Sequence, residues 1–143
     1  MNKHIVKALL ASTAVLGMSQ PAQAAITFYT DRALFEAALG SVQVEDFTDN
    51  LLLPTLSFTS SAGAISSGKF ADLALPGTTS TTFTFSTAIT GFGGNFDTPL
   101  SLTGTGLKFT VVPGGALSTQ LSNTANGGFF GFISNTAFSS VLV

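Results

Sequence analysis

Three carboxylates, Glu45, Asp46 and Asp49, fall within five positions of one another, with Asn50 beside them. Oxygen ligands grouped on a strand end and loop suit Ca2+, which takes roughly six to eight oxygens. The spacing does not fit an EF-hand loop, so a calcium site here needs Asp97 or Asp72 from distant segments. The candidate metal ligands are therefore Glu45, Asp46, Asp49 and Asp97, with calcium in a structural role. The competing reading is a solvated polar edge in which Asp49-Asn50 caps a turn. Acidic surfaces commonly bring three carboxylates this close, so the polar edge is the favoured reading.

Paired carboxylates about 5 to 9 Å apart also serve sugar hydrolysis. Neighbouring strand positions point to opposite faces, so Glu45 and Asp46 do not make that pair. Nothing in the sequence supports Glu45 with Asp97 or Asp72, and no Trp is present to stack on a sugar. Nucleophilic chemistry is poorer still. The chain has no Cys, and its one His is His4. Beyond the first residues, Ser-His-Asp and Cys-His catalysis and imidazole or thiolate metal sites are excluded. Gly91-Phe92-Gly93-Gly94 has no following helix to present an anion site and reads as a bent strand. No catalytic machinery is expected.

Fourteen Phe are the other resource. Most suit a core. Phe129 and Phe130 are the exception, because consecutive strand positions face opposite ways. One of the two is then available to stack on a ligand or pack on a partner.

The elements that must position these residues begin after a leader. Lys3, His4 and Lys7 precede an apolar run, Ala8 to Met18, and Gln20 to Ala24 end in a small-residue cleavage signal. This is the order of a secretory signal peptide, with the cut expected after Ala24. The run is too short to span a bilayer. The remaining chain carries Arg32, Lys69 and Lys108 against seven acids, a net charge of −4. So few basic groups argue against nucleic acid and anionic membrane partners.

Ala25–Thr30 reads as a strand, followed by a helix from Asp31 to Leu39 with a cap at Thr30 or Asp31 and a stop at Gly40. Val42–Phe47 alternates like a strand. Further strands are expected at 52–59, 64–70, 81–86, 89–96, 107–112, 117–121, 129–133 and 138–143. Turns are expected at Pro76-Gly77, Pro113-Gly114-Gly115, Asn126-Gly127-Gly128 and Ser134-Asn135-Thr136, and a bulge or bend at Gly93-Gly94. The fold class is all-β: one antiparallel, jelly-roll-like β-sandwich with one short N-terminal helix.

Four segments carry a resemblance: ITFYTDRALFEA (26–37), VEDF (44–47), ITGFGGNF (89–96) and FFGFISNTAFSSVLV (129–143). Together they resemble the extracellular domain of PEP-CTERM (exosortase-sorted) bacterial surface proteins. The resemblance implies an exported sandwich domain at the cell surface or in an exopolysaccharide matrix. That family ends in a Val-Pro-Glu-Pro motif, an apolar span and a basic tail, whereas this sequence stops at Val143 in what should be an edge-completing strand. A truncated product or a relative without its anchor is the expectation, and sorting by that route is not inferred. The expected function is non-catalytic, with weak binding of extracellular polysaccharide. A self-assembling matrix protein is the alternative, and a polysaccharide-active enzyme a third.

Overall fold

Residues 24–49, 51–66, 68–72, 80–97, 106–121 and 126–143 are described by a computed structural model. The expected leader up to residue 23, Asn50 and the Pro76-Gly77 turn lie outside the described residues. The chain runs from β1 (Ile26–Tyr29) into α1 (Arg32–Leu39). The Asp31 side chain accepts from the Leu34 amide at 3.1 Å and so starts the helix. Gly40, at φ 77°, ends it, and its amide donates to the Glu36 carbonyl. Arg32 pairs with Glu36 one turn on, at 2.7 Å.

Strands β2 (Leu56–Ser60), β3 (Ala64–Ser66), β4 (Lys69–Ala71), β5 (Thr81–Asp97), β6 (Leu107–Val112), β7 (Gly115–Leu121) and β8 (Asn126–Leu142) follow. All their pairings are antiparallel. The described strands form a six-stranded sheet, ordered β2-β5-β8-β6-β7 with β1 also on β8, and a separate β3-β4 ribbon. Antiparallel β structure with one short helix is thus what the fold shows.

Several expected boundaries move. Val42–Phe47 is not a strand. Val42 and Val44 are 41% and 54% exposed, and the Glu45 carboxylate, not a neighbouring strand, takes the amides of Phe47 and Leu53. The 64–70 strand is instead a hairpin that turns at Gly68, φ 71°. Segments 81–86 and 89–96 merge into β5, and 129–133 and 138–143 merge into β8. Asn126-Gly127-Gly128 lies inside β8, where Asn126 faces Asp97 and Gly128 faces Phe96. Gly127, at φ 66°, is the extra residue of a bulge between them. Gly93-Gly94 keeps regular register, and the shifts fall at Thr84/Ile89, Ile89/Gly91 and Phe96/Asp97.

The two long strands do not run straight. Phe83 and Phe92 are nine residues apart, about 30 Å along an extended strand, yet their ring centroids lie 5.9 Å apart. Phe132 and Phe138 likewise meet at 5.6 Å. β5 and β8 therefore bend together near residues 86–88 and 134–137, and Phe side chains from both arms of the bent sheet meet in one layer. Phe109, Phe132, Phe138, Val111 and Val141 are fully enclosed there. Burial of each Phe stabilises by about 1.5–3 kcal/mol.

β8 holds the centre. It pairs with β5 along one edge, and with β1 and then β6 along the other. Val143 continues this pairing by exchanging both backbone bonds with Thr81, at 2.8 and 3.0 Å. The C-terminal strand is therefore interior to the sheet, not an edge as expected. No helix among the described residues is long and apolar enough to cross a membrane.

Candidate functional site

The acidic segment 45–49 is a loop whose carboxylates hold its own backbone. Glu45 Oε1 accepts from the Phe47 amide and Oε2 from the Leu53 amide, both at 2.8 Å, so one side chain ties the two ends together. Asp46 Oδ1 accepts from the Thr48 amide at 3.0 Å and from its hydroxyl at 2.8 Å. These bonds, the backbone one first, hold the Asp46 carboxyl below its ordinary value of 3.8. Asp49 accepts from the Leu51 amide at 3.0 Å. Phe47 sits at φ 58°, with its ring 6.1 Å from Phe70 of the ribbon.

Asp97 stands at the end of β5, opposite Asn126. Among the described residues, no three His, Cys, Asp or Glu side chains converge as metal ligands. The four candidate calcium ligands are thus not brought together in one place.

A different acidic residue is the enclosed one. Asp72 Oδ2 accepts from the Thr81 hydroxyl and, at 3.4 Å, from the Ser60 hydroxyl. Ser60 Oγ also takes the Gly63 amide at 2.7 Å. Among the described residues, Asp72 Oδ1 is buried without a hydrogen-bond partner. The sequence points to Asp72 only as a distant partner of the acidic segment, for calcium or beside Glu45, and not to this cluster, which draws on β2, the residue after β4, and the first residue of β5.

Phe129 and Phe130 do face opposite ways, and both are covered. Phe130 is buried in the core layer, stacked on Phe109 at 5.1 Å and on Phe28 at 6.1 Å. Half-buried Phe129 lies on the other face against Phe35 of α1, at 5.3 Å. Glycines make room for that layer. A Cβ at Gly91 would sit 2.7 Å from Leu39, and one at Gly93 or Gly131 about 3 Å from the Phe129 ring.

The helix therefore covers the outer face of one sheet arm. The other arm carries no such cover among the described residues. Cross-strand partners share a face, and the registers give two rows on the outside of that arm. One row is Thr59, Thr82, Leu142 and Thr110 across β2, β5, β8 and β6; the other is Ser57, Thr84, Ser140 and Val112. Their intervening neighbours Val111 and Val141 are core. Every position in both rows is a hydroxyl or aliphatic residue. Lys108 follows on the same side of β6, two residues past Thr110 and beyond the last β8 pair.

No protein-family model, no curated protein and no solved structure matches this chain.

Proposed function

We propose that the chain is an exported, non-catalytic β-sandwich-like domain of the bacterial surface or extracellular matrix that binds carbohydrate weakly. One contact carries the export reading. The Ala25 amide donates to Asn135 Oδ1 at 2.9 Å, and the Asn135 amide donates back to the Ala25 carbonyl at 3.0 Å. The residue that cleavage after Ala24 would free as a terminus is the residue the sheet corner holds. Cleavage would place an ammonium at that nitrogen and make the bond to Asn135 charge-assisted.

The bend in β5 and β8 supports the sandwich reading, since it sets two arms of one sheet face to face. The four segments that resemble PEP-CTERM surface proteins support the surface or matrix setting. An enzyme draws no support from the carboxylates. Glu45 is a strut between Phe47 and Leu53, and Asp46 and Asp49 hold turns. Self-assembly through an unfinished C-terminal strand loses its ground, because β8 lies between β5 and the β1 and β6 strands.

Expression of the full chain in a bacterial host, followed by cell fractionation, tests this reading. The protein should be recovered outside the cytoplasm. Recovery only in the cytoplasm, at full length, would overturn it.

A further inference from the structure

We infer that the uncovered outer face of β2, β5, β8 and β6 is a docking surface for a neutral polysaccharide chain; this rests on the carbohydrate reading above and names its site. The two rows present six hydroxyls beside Leu142 and Val112, which are 37% and 50% exposed. A serine or threonine hydroxyl both donates and accepts, as do the hydroxyls of a sugar. The exposed Leu142 and Val112 side chains offer contact to sugar C–H groups between those hydroxyls.

Charge and area choose the occupant. Neither row holds an ionisable side chain, and Lys108 borders them as a single cation, so the rows themselves offer no cluster of charge to select phosphate, sulfate or uronate groups, and an uncharged partner loses nothing by docking there. Strand spacing of about 4.8 Å and a rise of about 3.4 Å per residue make the grid roughly 250–300 Å2. A stable protein dimer needs about 800 Å2 from each partner. The face is too small to hold a second copy by itself, and it suits a weak, repeated contact along a glycan. With no ring on the face to stack on a sugar, the affinity is low.

Affinity electrophoresis of the secreted protein in gels containing hydroxyethylcellulose, dextran or, as the anionic contrast, alginate tests the site. Retardation by a neutral polymer is expected. T59V/T84V removes two hydroxyls while keeping β-branched strand residues, and V112E places a charge on the face. Each should weaken retardation about fivefold or more, with the circular dichroism melt retained, and L34E on α1, which covers the other arm, should have no effect. Undiminished retardation in T59V/T84V and V112E would overturn this face while leaving carbohydrate binding standing elsewhere. No retardation by either neutral polymer would overturn the face and the carbohydrate reading together. A sedimentation dimer that V112E dissolves would overturn the glycan in favour of a second copy.

Discussion

Thr81 shows how much one hydroxyl holds. Its side chain is 1% exposed and donates to Asp72, while its backbone exchanges two bonds with Val143. T81V keeps the shape but leaves the Asp72 carboxylate short of a donor, so a loss of about 1–3 kcal/mol is expected in urea unfolding. A loss within error would mean that Asp72 is satisfied without it. Asp46 makes a prediction of opposite character. Its carboxyl is held low by Thr48, so its contribution is present above 3.8 and is lost as pH falls through the folded value. Because the group is exposed, the effect belongs to the loop and not to the melt. The Thr48 amide resonance should shift with that titration and be flat in D46N.

At this scale the sequence was legible where a residue acts on close neighbours. Asp31 and Gly40 bound the helix as their types require. The Ser60–Asp72–Thr81 cluster was not legible, because its members stand 12 and 9 positions apart and meet only once the sheet brings them together.

Among the elements, α1 depends on the bare strip beneath it. A side chain at Gly91 would meet Leu39, so G91V should lift the end of the helix and cost about 1–3 kcal/mol. Faster hydrogen exchange at the amides of residues 36–39, with β6 and β8 protected as before, would locate the damage. Unchanged exchange there would show that the helix does not rest on Gly91. The Thr82/Thr84 and Phe83/Phe85 alternation announced its strand correctly, since a half-buried face imposes period two. The same alternation misled at Val42–Phe47, where the Glu45 carboxylate and not a partner strand holds the backbone. Long β5 and β8 were read as pairs of short strands because their turn-like residues, among them Ser134-Asn135-Thr136 and Asn126-Gly127-Gly128, mark bends and bulges within continuing ladders. Periodicity records which residues face inward and is silent on where a ladder folds over.

For the whole molecule, the carboxylates of the acidic loop already hold amides and Asp97 stands at the end of β5. Calcium at millimolar concentration should therefore leave the melting of residues 25–143 where EDTA leaves it. A bound ion at tenfold excess over its Kd would add about 1.4 kcal/mol, an unmistakable rise. The Phe layer between the bent arms should make that melt cooperative with no disulfide to help. The arms, the bend and the Ala25–Asn135 bond support the proposal that the mature chain begins at Ala25.

The amino-terminal sequence of the protein recovered from outside the cytoplasm tests that proposal most directly. Ala25-Ile26-Thr27 is the expected start. A start at Met1, or one beyond Ile26 that removes part of β1, would contradict it.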